Sequence, residues 1–255
     1  MTEARRIFRQ LIGRAWRAEW PIWAEIICFV ALMALYESLR TLVAPDSAGV
    51  TTAFANAERV VDLERALGLF VEGDLHAWTV AHEAVQFATT WYYTLAYVAG
   101  YLVTFTWTWF RRRPYFAAFR NWFWTSLMLA PIGFLLFPLS PPRFTEYGEQ
   151  DITVEALRLG GSLDWFQIFR NEYAAMPSMH CGLAILMALS FFWMLRPSPW
   201  RWLMLTWPPI MIFTVMATAN HCWLDAVGGT LTIGVALAIV APLTRRMPAP
   251  WRYRP

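Results

Sequence analysis

Residues 219–243 read ANHCWLDAVGGTLTIGVALAIVAPL, and they point to an integral membrane protein. The 18 residues that follow Asp225 carry no charged side chain. Because a helix needs roughly 20 mostly apolar residues to cross a bilayer, residues 224–243 predict a membrane-spanning helix. The polar residues that precede this apolar run would then lie at the membrane surface.

Five further segments of similar length and apolarity precede this one. They cover residues 22–43, 87–110, 116–139, 178–195 and 202–219. The composition agrees, since 58% of the 255 residues are hydrophobic and only 15% are charged, whereas soluble domains carry about 25% charged residues. We therefore predict an all-α integral membrane protein with six transmembrane helices. The same composition argues against a disordered chain, a disulfide scaffold and a nucleic-acid-binding protein.

The distribution of arginine predicts the orientation of these helices. All 21 basic residues are arginine, and 15 of them fall on one side of the membrane when six spans are drawn. Loops rich in basic residues stay in the cytoplasm, so both termini are expected there. The chain would then be one membrane domain made of a cytoplasmic basic segment (1–21), an extracytoplasmic helical cap (44–86), a catalytic helical core (87–243) and a cytoplasmic tail (244–255).

The predicted extracytoplasmic cap carries a helical pattern of its own. Val60, Val61, Leu63 and Leu67 recur near helical spacing, which is typical of an amphipathic helix that lies on an outer surface. A cap helix that faces water fits the same pattern. We expect this segment to cover the mouth of a site and to help select lipids.

Three polar stretches gather at the predicted outer ends of spans three to six. FPLSPPRF (137–144) places Arg143 on a proline-rich turn, and a guanidinium fork suits phosphate or carboxylate. In NEYAAMPSMHCG (171–182), Ser178 is positioned to cap a helix whose free N–H groups would attract anions, and His180 lies in its first turn.

The third stretch, ANHCWLD (219–225), contains a histidine–aspartate pair. His221 and Asp225 are four residues apart and would share a helix face. A carboxylate bound to Nδ1–H leaves Nε2 free to act as nucleophile or base. Taken singly, the three stretches also fit an interfacial arginine, a capped helix and a helix-stabilising pair. Together, on one side of one membrane, they predict a functional site.

These stretches resemble the signatures of a known family. PSMH and NHCWLD resemble the second and third signatures of the type-2 phosphatidic acid phosphatase superfamily, and FPLSPPRF with NEYAAMPSMH resembles its inositol-phosphorylceramide-synthase-like branch. The resemblance spans residues 55–240. The chain departs from the superfamily pattern in having no lysine, in carrying Phe144 instead of proline after Arg143, and in carrying Val215 where an arginine is common.

The resemblance implies six membrane helices and phosphoryl transfer through a phosphohistidine at the extracytoplasmic face, without metal or cofactor. His221 would be the nucleophile, Asp225 would orient it, and His180 would protonate the leaving oxygen. The expected phosphate-binding residues are Arg143, Ser178, Met179, Asn171, Tyr173 and Asn220.

The substrate implied by the resemblance is a phospholipid or a polyprenyl (di)phosphate in the cell membrane. The acceptor would be a polyol such as inositol, which gives a transferase, or water, which gives a phosphatase. Membrane lipids are the expected partners, nucleic acid is not, and a homo-oligomer is compatible with the sequence.

Two histidine–cysteine pairs leave other chemistry open. His180-Cys181 and His221-Cys222 offer four zinc ligands. Adjacent helical residues point about 100° apart, which disfavours binding of one ion by both members of each pair. A Cys181–Cys222 disulfide is a separate option, allowed by an oxidising outer compartment.

A transporter or a non-catalytic scaffold is the alternative of another class. Glu25 and Glu37 in the first span would be its main support. Both lie near the ends of that span, where charged side chains can reach the interface. The sequence shows no paired broken helices of the transporter kind.

Overall fold

The structure, a computed structural model, describes residues 20–145, 171–245 and 247–253. These residues are helical apart from their connections. They contain no β-strand, and the one β-type contact among them is an isolated parallel bridge between Leu139 and Ala174. The all-α class is thereby confirmed.

Nine α-helices follow one another along the described residues. They are α1 (Ile22–Leu42), α2 (Ser47–Ala66), α3 (Glu72–Val80), α4 (Glu83–Trp91), α5 (Tyr97–Arg111), α6 (Arg113–Leu136), α7 (Met179–Met194), α8 (Trp207–Ala217) and α9 (Trp223–Leu243). A π-helical turn (Tyr92–Ala96) joins α4 to α5, and 3-10 turns cover Pro142–Phe144, Pro199–Thr206 and Pro250–Arg252.

Two helices of the described residues, α1 and α9, are long and apolar enough to cross a bilayer, and α7 is a shorter apolar helix of 16 residues. Large apolar side chains of α1, such as Trp23, Ile27 and Val30, are exposed. An apolar surface of this kind suits lipid better than water, which indicates membrane association. Six spans and cytoplasmic termini stay a prediction.

The remaining predicted spans correspond to helical segments of differing regularity. Residues 87–110 fall within α4, the π turn and α5, and residues 116–139 overlap α6. The segment at 202–219 differs from a single helix, because it divides into a 3-10 turn and the 11-residue α8. Pro208 and Pro209 lie in the first turn of α8, where proline is tolerated because its missing N–H would have no helical partner.

The first turns of α7 and α9 are brought together by two glycines. A Cβ atom on Gly229 would lie 2.1 Å from the carbonyl oxygen of Ser178, and one on Gly182 would lie 2.8 Å from that of Gly229. The backbones can approach this closely only because neither residue has a side chain. The amide of Ser178 also donates to the carbonyl oxygen of Asp225 at 3.0 Å. The polar stretches at 171–182 and 219–225 therefore meet.

The predicted cap residues form α2 and α3, and α2 packs on the protein through one face. Ala57, Val60 and Val61 are buried in a cluster with Leu139 and Cys222. The expected apolar stripe is split, since Leu63 and Leu67 are 50% and 57% exposed. The buried face is set by positions 53, 57, 60, 61 and 64, which follow the helical repeat more closely than the four residues named from the sequence.

The loop after α6 is attached to α2 by backbone groups. Asn56 Nδ2 donates to the carbonyl oxygen of Pro138 at 2.9 Å, and the amide of Ser140 donates to that of Ala53 at 3.1 Å. Phe137 leaves the helical conformation after α6, since the residue before a proline, here Pro138, is disfavoured in the α region. This attachment fixes the start of the turn that carries Arg143.

Candidate active site

His221 and Asp225 form a buried pair at the start of α9. His221 Nδ1 lies 3.2 Å from Asp225 Oδ2, and the same oxygen accepts the amide of Cys222 at 3.0 Å. The Asp225 side chain is fully buried. His221 precedes the helix, so the pair forms by His221 folding back over the first turn and not by both residues sharing a helix face, as the spacing predicted. Nε2 of His221 is left outside this contact.

His180 lies in the first turn of α7, facing His221. Its ring stacks on Tyr93 with centroids 4.3 Å apart and contacts Tyr97 at the same distance. The His180 and His221 ring centroids are 5.9 Å apart. The tyrosines come from the π turn and the start of α5, and their contact with both sides of the ring restricts its orientation.

Arg143 is held beside His221 by the turn that precedes α9. Its amide donates to the carbonyl oxygen of Ala219 at 2.9 Å, and its Nη1 donates to Asn220 Oδ1 at 2.6 Å. Ala219 has a φ of 51°, a left-handed conformation that is uncommon for a residue with a side chain. Such conformations are often found at functional sites. The turn therefore orders Arg143, Asn220 and His221 in one place.

One pocket contains most of the predicted site residues. Arg143, Asn171, Met179, His180, Asn220 and His221 all line it. Asp225 lies behind His221 and contacts the pocket only through it. The arrangement places two histidines and a guanidinium group around one space, and these are side chains that phosphoryl transfer can use.

The secondary phosphate-binding candidates have protein partners. Asn220 Nδ2 donates to Thr218, and its Oδ1 accepts from Arg143, so it positions that arginine. Asn171 Nδ2 donates to the Arg40 carbonyl oxygen, and its Oδ1 accepts the amide of Tyr173.

The other two candidates from the same stretch also have protein partners, and Ser178 caps α7 as predicted. The Ser178 amide is used by the Asp225 carbonyl oxygen, and its Oγ accepts the amide of Cys181 at 3.5 Å. The Tyr173 ring packs against Phe54 and Phe144. Buried amides and carbonyls need partners whether or not a ligand is bound.

Sequence reasoning missed the contribution of α1. Tyr36, Glu37 and Arg40 line the same pocket, and Glu37 Oε2 lies 3.4 Å from Arg40 Nε. Arg40 thereby supplies a second cation in a chain without lysine. The available signal was an acid and a base three residues apart in an otherwise apolar segment.

Two buried glutamates of the cap also contact the start of α9. Glu64 Oε1 accepts the amide of Leu224 at 2.7 Å, and Glu72 Oε1 accepts that of Trp223 at 2.8 Å. These amides belong to the first turn, which has no helical acceptors. Burial, with the nearby charges of Glu72 and Asp225, raises the pKa of Glu64 to about 8, although the Leu224 amide acts in the opposite direction.

This cluster is the one set of three potential metal ligands in the described part of the chain. Ligand atoms of Glu64, Glu72 and Cys222 lie within 4.8 Å of one another. Three of the four carboxylate oxygens of Glu64 and Glu72 already accept backbone amides. The third of these hydrogen bonds runs from the Val71 amide to Glu72 Oε2. The positive end of a helix disfavours a cation, and burial raises the pKa of the Cys222 thiol well above its usual range. The set therefore suits helix capping better than metal binding.

The alternatives raised by the cysteines and the acids of α1 find structural explanations. Cys28, Cys181 and Cys222 are all free thiols. Glu25 forms a buried ion pair with Arg120 of α6. Removing one partner of a buried pair leaves an uncompensated charge, so this pair has a structural role in joining α1 to α6.

Comparison with known proteins yields one match. A family model described as PAP2 superfamily matches residues 58–239, which include Arg143, His180, His221 and Asp225. No curated protein and no solved structure matches the chain.

Proposed function

Since the chain belongs to the PAP2 superfamily, we propose that it is a membrane enzyme that transfers a phosphoryl group from a lipid phosphate or a phospholipid head group through a phosphohistidine. Membership indicates phosphatase or phosphotransferase activity on phosphate esters. The observation that carries the finer proposal is the His221–Asp225 pair facing His180 across 5.9 Å in one pocket with Arg143.

The first half of the reaction uses His221 as nucleophile. Its Nε2 attacks phosphorus, the bond from phosphorus to the leaving oxygen breaks, and the leaving oxygen takes the electron pair and a proton from His180. Asp225 holds Nδ1–H and stabilises the positive charge that forms on the ring. Arg143 binds the non-bridging oxygens, and positioning with charge stabilisation supplies most of the catalysis in phosphoryl transfer.

The second half transfers the phosphoryl group to an acceptor. We propose a polyol such as inositol, following the branch that the loop sequences resemble, with water as the second candidate because superfamily membership alone is equally consistent with a phosphatase. His180, now unprotonated, is positioned to take the proton of either acceptor.

The proposed location is the extracytoplasmic face of a multi-pass protein in the cell membrane. The arginine distribution supports this orientation. The pocket residues come from the ends of α1, α7 and α9 that adjoin the cap, which would be the outer ends. Phosphatidic acid, phosphatidylinositol and polyprenyl diphosphate are the lipids to test first.

The test is turnover of these three lipids in detergent, with and without inositol, by wild type and His221→Ala. We expect the substitution to abolish turnover and to remove an acid-labile, alkali-stable phosphate label from the protein. His82→Ala is the matched control, because His82 is exposed and does not line the pocket. Unchanged turnover by His221→Ala would contradict the proposal and favour a transporter or scaffold.

A further inference from the structure

Glu37 and Arg40 form a charged pair on the pocket-facing side of α1. Their side chains are 38% and 25% exposed, and both line the pocket that contains the two histidines. The helix is otherwise mostly apolar between Ile22 and Leu42. Charged side chains in a membrane-spanning helix are costly to maintain and mark functional positions. The pair therefore calls for a ligand-related explanation.

The pair lies on the His180 side of the pocket. Tyr97 contacts the His180 ring, and Tyr97 and Tyr36 line the pocket next to the pair. Asn171 connects its own segment to α1 through the Arg40 carbonyl oxygen at 3.0 Å.

Arg143, by contrast, is bound to Ala219 and Asn220, directly before His221. The pocket thus has one cation beside the nucleophile and a neutral acid–base pair toward His180.

The chemistry of the pair differs from that of a second phosphate site. An arginine alone would suit another phosphate, but Glu37 offsets the charge of Arg40 and repels anions. Together they offer N–H donors and carboxylate acceptors, which match a hydroxyl group because it both donates and accepts. We propose that Glu37 and Arg40 bind the hydroxyl groups of an alcohol acceptor. This inference rests on the proposed phosphohistidine mechanism.

The step served by this subsite is the second half of the reaction. A hydroxyl oxygen of the acceptor attacks phosphorus on phosphorylated His221, and a new oxygen–phosphorus bond forms. The nitrogen–phosphorus bond breaks, its electron pair returns to Nε2 of His221, and the hydroxyl proton passes to His180. Binding through neighbouring hydroxyls would hold the attacking oxygen near His180 and favour the alcohol over water.

The experiment measures how the phosphoryl group partitions between glycerol and water. The purified full chain in detergent receives 4-nitrophenyl phosphate as donor and glycerol as acceptor. Nitrophenol reports the first half, and the ratio of glycerol phosphate to inorganic phosphate reports the second. For Glu37→Gln and Arg40→Gln we expect the ratio to fall about tenfold, as for loss of one hydrogen bond to a charged group. Nitrophenol release without glycerol should fall by a smaller factor than the ratio does.

Ser38→Ala is the matched control, since Ser38 lies on the same helical turn, is exposed and does not line the pocket. Arg40→Lys provides a second variant with the charge kept, and elution as a single folded species is checked for each protein. An unchanged ratio in both glutamine variants overturns the subsite, as does a wild type that yields only inorganic phosphate. An equal loss of nitrophenol release without glycerol also overturns it, because the pair would then bind the donor.

Failure of the mechanism itself has a different signature. Nitrophenol release that persists in His221→Ala, or is absent in wild type, contradicts the proposed function. An inactive His221→Ala together with an unchanged partition ratio in Glu37→Gln and Arg40→Gln contradicts only the acceptor subsite.

Discussion

Asp225 uses one carboxylate oxygen for two tasks. Oδ2 contacts His221 Nδ1 and accepts the amide of Cys222. In the proposed mechanism the first contact holds Nδ1–H and leaves Nε2 as the nucleophile, and the second keeps the carboxylate in place at the start of α9. A single side chain therefore connects His221 to the helix that follows it.

Asp225→Asn tests this connection at the scale of one residue. The amide keeps the size of the side chain but removes the charge and can bind the wrong tautomer of His221, so we expect turnover to fall about a hundredfold or more. The rate is measured with phosphatidic acid in detergent, and the thermal midpoint checks folding. A folded variant with near wild-type turnover would show that the carboxylate charge is not used.

At this scale the sequence predicts the residues whose chemical types are rare in an apolar chain. His180, His221, Asp225 and Arg143 stand out because ionisable groups near membrane depth are costly. The contact of Asn220 with Arg143 could not be predicted, because the two residues are 77 positions apart. Arg40 was missed because nothing in the sequence shows that α1 packs beside the pocket.

At the scale of elements, α9 begins against carboxylates from two other helices. Glu64 lies in α2 and Glu72 in α3, and each accepts an amide of the first turn of α9. Acceptor oxygens at a helix N-terminus are stabilising because the amides of the first turn have no partner within the helix. The position of His221, directly before that turn, thus depends on elements outside the apolar bundle.

The raised pKa of Glu64 predicts that the stability of the folded protein depends on pH. Because its pKa is raised from 4.5 to about 8, the folded protein holds a proton there that the unfolded chain has lost, and stability should fall as pH rises between these values. Glu64→Gln, a neutral acceptor of similar shape, should flatten the profile, and Glu64→Leu should lower the thermal midpoint throughout.

The measurement is thermal unfolding in detergent over this pH range. Glu58→Gln is the control, since Glu58 is an exposed acid of the same helix. A Glu64→Gln protein whose midpoint declines with pH as steeply as wild type would be inconsistent with a proton held at this position.

The contact between α7 and α9 gives a second prediction for elements. Gly229→Ala places a Cβ within 2.1 Å of the Ser178 carbonyl oxygen, so the helices must separate, at about 1–3 kcal/mol for overpacking. We expect turnover to fall with it, because His180 lies in α7 and His221 directly precedes the N-cap of α9. Unfolding in denaturant and turnover are measured together.

Gly234→Ala is the matched control on the same helix. A Cβ there meets no atom within 4 Å, and alanine favours helix by up to about 1 kcal/mol over glycine. Equal stability and turnover of the two variants would mean that the close approach at Gly229 does not set the geometry of the site.

A comparison of the predicted and observed ends of the helices shows which parts of the fold follow from the local pattern of apolar residues. Apolar length predicts α1 and α9 well, because both run for a full membrane thickness. The prediction of a single helix at 202–219 was wrong, because the apolar residues continue through a 3-10 turn. The length of an apolar segment does not reveal such a turn. Leu63 and Leu67 were grouped with Val60 and Val61 on one apolar face without knowledge of which surface α2 meets, and they are exposed while the two valines are buried.

At the scale of the whole molecule, the predicted orientation can be tested by chemical labelling. In intact cells, a membrane-impermeant maleimide should label Glu58→Cys, in the cap, and should not label Arg111→Cys, at the opposite end of α5. Both positions are exposed. Wild type provides the background, because Cys181 and Cys222 are buried. The reverse labelling pattern would contradict the predicted orientation and would indicate that the cap faces the cytoplasm.

The contacts of α2 and α3 bear on how this protein can be dissected. A fragment that begins at residue 87 would retain both histidines, yet it would lack the acceptors for Trp223 and Leu224 and the partners of the Arg143 loop. We therefore expect such a fragment to be inactive on its own. Tests of lipid selection by this segment should exchange exposed side chains such as Leu63 and Leu67, since removing the whole segment would also remove these contacts.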